Sequence, residues 1–199
     1  MSLWTEYSQQ TPKGTAGSLY DLTFHAVDSF RNQEADGVLL PGVGVVHGTN
    51  PGVDIALPKA SSTADKFVGV VMYGGSNELD MKNNLIIPNG YHVSVMRTGR
   101  VWVKMAADEE PSYGDPVFLV VTGDEVGCFR AASDDDTIQI NARIIEVGSN
   151  GLAAIELFNQ IGGAGSGLST AADVDLSTPP TNGQTLKYDS TSGKWKPGT

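Results

Sequence analysis

The sequence predicts an all-β fold, a β-barrel or sandwich built from short antiparallel strands. Three observations lead there. Valine and isoleucine dominate the apolar stretches between residues 21 and 161. Those stretches are short and bounded by Gly, Pro, Asn and Asp, the residues that turn a chain. No long window repeats its apolar residues at the 3.6-residue spacing of an amphipathic helix.

Residues 1–20 read as an extended N-terminal arm. The segment from Tyr7 to Ser18 is polar and interrupted by Pro12, Gly14 and Gly17, so it carries neither a helix nor a strand period. Trp4 and Tyr7 sit in or beside it, and aromatics are scarce in segments that merely solvate. An arm that docks its aromatics on a neighbour accounts for them.

Residues 21–161 form the expected core. Gly37–His47, Asp54–Leu57, Phe67–Tyr73, Asn84–Pro88 and His92–Arg97 are apolar runs with breaks between them. After Thr98-Gly99, the residues Val101, Val103 and Met105 alternate with Arg100, Trp102 and Lys104, which predicts a half-buried strand with Trp102 on the polar side. Gly114–Thr122 and Glu125–Arg130 flank a Gly123-Asp124 turn, and Thr137–Val147 and Leu152–Phe158 flank Gly148-Ser-Asn-Gly151. Each pair reads as a hairpin.

Residues 162–170 are a Gly-rich linker, and 171–199 a tail. In the tail, Leu186 and Tyr188 alternate before a Ser192-Gly193 turn that leads to Trp195. That pattern predicts a hairpin with one apolar face. An isolated hairpin is marginal in water, so this one needs something to pack on.

Charge and chemistry narrow the function. The 199 residues carry 13 Lys and Arg against 23 Asp and Glu, and residues 1–161 alone hold 10 against 20, so the tail is neutral. An acidic domain without a basic cluster repels phosphate backbones, which argues against nucleic acid as a partner. No run of about 18 apolar residues is present to span a membrane. The N-terminus lacks the basic and apolar regions of a signal peptide, so synthesis in the cytoplasm is expected. Cys128 stands alone in an apolar stretch and reads as a buried, reduced thiol.

A catalytic constellation is not legible. His25, His47 and His92 show no metal-ligand spacing, and Gly42-Val-Gly44 lacks the third glycine and the helix of a dinucleotide site. The acidic runs Asp108–Glu110 and Asp134–Asp136 lack the spacing of a calcium loop and read as solvated turns. No cofactor is called for, and the chain reads as a non-enzyme.

The order of elements from residue 7 to 161 resembles the structural cement proteins that decorate the capsids of tailed bacteriophages. The likeness is carried by Tyr7-Ser-Gln-Gln-Thr-Pro-Lys-Gly, Gly37-Val-Leu-Leu-Pro-Gly-Val-Gly-Val-Val, Phe67-Val-Gly-Val-Val-Met-Tyr-Gly-Gly, Val95-Met-Arg-Thr-Gly-Arg-Val-Trp-Val, Gly114-Asp-Pro-Val-Phe and Gly151-Leu-Ala-Ala-Ile-Glu-Leu. Separately, Asp173 to Gly198 is similar to a short module of phage fibre and head-fibre proteins. The resemblance implies a homotrimer on the capsid exterior that bridges neighbouring major capsid protein subunits. It implies a tail that docks a head fibre or tail fibre, or self-associates. On this reading Trp4, Tyr7 and Tyr20 are capsid-side anchors, and Leu186, Tyr188 and Trp195 make the tail contact, since aromatics carry a large share of interface energy. The alternative is a fibre or baseplate module that binds host carbohydrate, for which Trp102 is the core's candidate platform.

Overall fold

The computed structural model describes residues 14–74, 78–79, 85–158, 174–177 and 184–198. The chain divides into two compact units, Met1–Ile161 and Gly162–Thr199.

The first unit is all-β apart from one 3-10 turn at Ala64–Lys66 among the described residues. Its strands are β1 (Ala26–Asn32), β2 (Gly44–His47), β3 (Asp54–Ala56), β4 (Phe67–Val71), β5 (Glu78–Leu79), β6 (Leu85–Ile86), β7 (His92–Lys104), β8 (Pro116–Val120), β9 (Phe129–Arg130), β10 (Thr137–Val147) and β11 (Leu152–Leu157). Five of them close a barrel in the order β1, β3, β2, β4, β7 and back to β1. From β7 the same sheet continues through β11, β10 and β8 to β9. There Phe129 bridges Met105, and the Ala106 N–H donates to the Phe129 carbonyl at 2.8 Å. The sheet thus curls back on the strand it left, and β7 is a wall of two rings.

Each ring encloses its own core. Phe30, Leu39, Val45, Ile55, Val93 and Val95 fill the first, and Val101, Val103, Leu119, Phe129, Ile144 and Ile155 belong to the second. The pleat explains how one strand serves both. Val93 and Val95 of β7 point into the first ring, and beyond Gly99 it is Val101 and Val103 that are buried in the second. Gly99 has φ of +126° and lies against His25, where a Cβ would meet the His25 Cβ at 2.7 Å, so glycine is required at this crossover. β4 lies between the cores and is buried throughout: Phe67 and Val70 face one, Val68 and Val71 the other. A strand covered on both sides reads as an unbroken apolar run, which is what Phe67-Val-Gly-Val-Val71 is.

Several expectations need correction. The core strands are not uniformly short, since β7 runs 13 residues and β10 runs 11. Thr98-Gly99 does not separate two strands, because both flanks pair continuously, with β1 on one side and β11 on the other. The pairing is not wholly antiparallel either, as β1 and β3 run parallel at Arg31–Asp54 and Asn32–Ile55. β1 itself was not anticipated. Its Val27 is exposed and its Asn32 buried, the reverse of the usual pattern, and Asn32 is satisfied by donating to the carbonyls of Ile87 and Pro88.

In the second unit, β12 (Thr185–Asp189) and β13 (Lys194–Gly198) form an antiparallel hairpin, and Val174 bridges Trp195 on the outer side of β13. Leu186 faces Pro197 and Tyr188 faces Trp195 across the ladder. This is the apolar face that the alternation predicts. The linker residues 162–170 lie outside the described residues.

Candidate partner-binding surface

Residues 14–20 lie along β7 in the same subunit. The Gly17 N–H donates to the Trp102 carbonyl at 2.7 Å, the Trp102 N–H to the Ser18 carbonyl at 3.0 Å, and the Tyr20 N–H to the Arg100 carbonyl at 3.0 Å. Trp102 is covered as a result. Its side chain points to the polar side of β7, as the alternation requires, yet it is only 4% exposed. Tyr20 packs on it at 5.7 Å between ring centroids. Gly14, with φ of +81°, lies so close that a Cβ there would overlap the indole. Trp102 is therefore no sugar platform. Of the three arm aromatics, Tyr20 is half-buried against Trp102, and Trp4 and Tyr7 lie outside the described residues.

The chain then leaves β7 in a loop, Asp21–His25, that holds two apolar side chains out to solvent. Leu22 is 90% exposed and Phe24 is 84% exposed. The Asp21 carboxylate accepts from the Thr23 N–H at 3.1 Å and from the Thr23 hydroxyl at 2.5 Å. It also accepts from Arg100 at 2.8 Å. The Thr23 hydrogen bond is the main cause, with Arg100 adding to it, of an Asp21 pKa below the ordinary carboxylate value. Arg100 reaches on to Glu156 at 3.0 Å, and Arg143 holds the other Glu156 oxygen at 2.6 Å. Burial pushes the Glu156 pKa up, but the hydrogen bonds from Arg143 and Arg100 outweigh it and the net shift is downward. The Arg143 guanidinium lies 5.5 Å from the centre of the half-exposed Phe158 ring. Sequence reasoning did not single out Leu22, Phe24 or Phe158 as surface residues, because local spacing does not say which apolar side chains the fold leaves uncovered.

Other polar groups are occupied by structure. Asp54 is fully buried and binds Arg31 at 2.7 Å and Asn50 at 2.8 Å, tying β1 to β3. The acidic runs surround Arg130, with Asp134 at 3.0 Å and Glu109 at 3.6 Å, and Glu109 also accepts the Ala131 N–H. They are the solvated turns that the sequence suggests, with Glu109 and Asp134 tied back to Arg130. Cys128 is partly rather than fully buried, and burial pushes its thiol pKa up, away from a reactive thiolate. His47 is lowered, first by burial and then by the charge of Arg97. Among the described residues no three His, Cys, Asp or Glu are grouped to hold a metal ion.

In the tail unit, Tyr188 and Trp195 meet edge to face at 5.4 Å and are 57% and 41% exposed, and Leu186 lies beside them at the surface. The opposite face is ionic. Lys196 contacts Asp189 at 3.0 Å and Asp175 at 3.9 Å. Lys196, with Ser192 and the Thr191 N–H, holds Asp189 far below the ordinary carboxylate range.

Known proteins place this arrangement. No curated protein matches the chain. Among solved structures, a chain from "The capsid of Myoviridae Phage XM1" has a similar fold, with a TM-score of 0.61 at 17% identity. The match covers 79% of this chain and 98% of that one. The family described as structural cement protein (E217 gp24/Pam3 gp6) matches residues 4–158. A filled double ring with its polar groups committed to structure suits a building block, and the chain belongs to the phage structural cement protein family, a component of the virion on the outside of the capsid shell.

Proposed function

We propose that this chain cements the capsid by bridging neighbouring major capsid protein subunits as a homotrimer, with no catalytic activity of its own. The observation that carries the reading is the extent of the family match, which begins at Trp4 and ends at Phe158. It takes in the N-terminal arm together with the core and stops short of the tail. The arm reaches from its anchorage on Trp102 to a neighbouring subunit, with Trp4 and Tyr7 as contacts and Tyr20 at the root. The tail is a separate attachment point, a dock for a head fibre through Leu186, Tyr188 and Trp195. Extended segments suit such bridging, since they cover much surface with few residues.

The test is add-back. Purified chain is mixed with capsids lacking it, beside one variant without residues 1–13 and another ending at Gly163. Full-length chain and the variant without the tail are expected to bind and to raise the temperature at which the shell opens. The variant without the arm is expected to bind at least about tenfold more weakly, a loss of about 1.4 kcal/mol. A full-length chain that leaves such capsids unbound overturns the cement reading.

A further inference from the structure

Large apolar side chains held in water by a hydrogen-bonded loop gain by burial against a partner. Leu22 and Phe24 are the most exposed large hydrophobic residues described in this protein, and their loop is not slack. Asp21 fixes it through Thr23 and Arg100, and the His25 Nδ1 lies 2.8 Å from the Thr23 carbonyl oxygen. A continuous set of contacts then leads from Asp21 through Arg100, Glu156 and Arg143 to Phe158. Rigid apolar side chains, an aromatic and two arginines whose charges are already matched form the usual make-up of a protein interface.

We propose that Leu22, Phe24 and Phe158, joined by the Asp21–Arg100–Glu156–Arg143 ion pairs, form the face through which copies of this chain associate. The proposal rests on the homotrimer reading above and supplies its surface. Charge selects the occupant. The two acids and two arginines of this face cancel, so all of the acid excess in residues 1–161 lies elsewhere on the core. A basic partner is drawn to that acidic remainder. A second copy is repelled by it, and this face lets like surfaces meet without net repulsion. Around a symmetry axis, identical loops come together, and Phe24 of one copy packs beside Leu22 and Phe24 of the next.

The experiment is light-scattering mass measurement on the full chain and on a Leu22→Ser/Phe24→Ser double variant, with circular dichroism and a thermal melt to establish folding. Tyr113→Ser is the control, since Tyr113 is an aromatic 74% exposed on another loop. The wild type and the control are expected at three times the 21.0 kDa chain mass, and the double variant at one. A folded double variant that keeps the wild-type mass overturns this face and leaves the homotrimer standing. If that variant of unchanged mass also no longer binds capsids, the face belongs to the shell and self-association through it is overturned, the homotrimer again standing. A wild type that stays monomeric at every concentration overturns both this face and the homotrimer, and the add-back assay then judges the cement reading by itself.

Discussion

Trp102 and Trp195 have closely matched local settings and opposite fates. Each lies on a strand with a lysine within two residues and packs against a tyrosine, Tyr20 for one and Tyr188 for the other. Trp102 is 4% exposed and Trp195 is 41% exposed. The difference is what else the unit has to offer. The core lays residues 14–20 over the polar side of β7 and hydrogen-bonds them there, whereas among the described residues of the tail unit Val174 and its neighbours lie beside the hairpin. Burial is thus decided by the size of the unit and by distant chain, and local alternation reports only which side of a strand a residue takes.

The comparison sharpens under mutation. Trp102→Ala removes a buried indole together with the seat of Gly14, Ser18 and Tyr20, so the core should lose about 3–5 kcal/mol, read as a fall in the urea midpoint. A loss under about 1 kcal/mol would mean that the segment merely shields the ring without depending on it.

Acid comes next. Asp21, Asp54, Glu156, Asp175 and Asp189 all have folded-state pKa values below the ordinary ones. A depressed carboxylate contributes stability that is present above its unfolded pKa and lost as pH falls through the folded value. Stability should therefore be flat from neutrality to about pH 5 and decline below about pH 4, given carboxylate values near 4 in the unfolded chain. Resonances of Tyr188 and Trp195 followed by NMR should report the tail loosening over that range, because its ion pairs are open to water. A tail spectrum that does not change down to pH 2 would assign its stability to the aromatic pair alone.

Trp195→Ala is the smallest effect. An exposed cross-strand aromatic pair contributes about 0.2–1 kcal/mol, so the hairpin should weaken locally while the thermal midpoint of the core stays where it is. A shifted core midpoint would show that the two units are coupled.

The sequence was legible where a signal was local. The hairpin of β10 and β11 announces itself through Gly148-Ser-Asn-Gly151 between two alternating runs, and the tail hairpin through Ser192-Gly193. Thr98-Gly99 misleads, because the glycine that ordinarily ends a strand here lets one strand pass between two rings. β1 was hidden by a buried Asn32 that is satisfied only by residues 55 and 56 positions further on. The Trp102 lid and the exposed pair Leu22 and Phe24 were out of reach for the same reason. Both depend on where a segment lies against distant strands, and spacing does not encode that.

The shared strand β7 also sets an order of completion. The barrel of β1 to β4 and β7 has all its strands once Lys104 has been made, but the second ring cannot close until Leu157 arrives, some fifty residues later. Until then one side of the Gly99–Lys104 stretch has no ladder to join and stands as an open edge. Pairing across such separations is also slow. A chain paused during synthesis between these two points therefore has every strand of the first barrel beside an edge whose partner has yet to be made, and such unpaired edges invite aggregation.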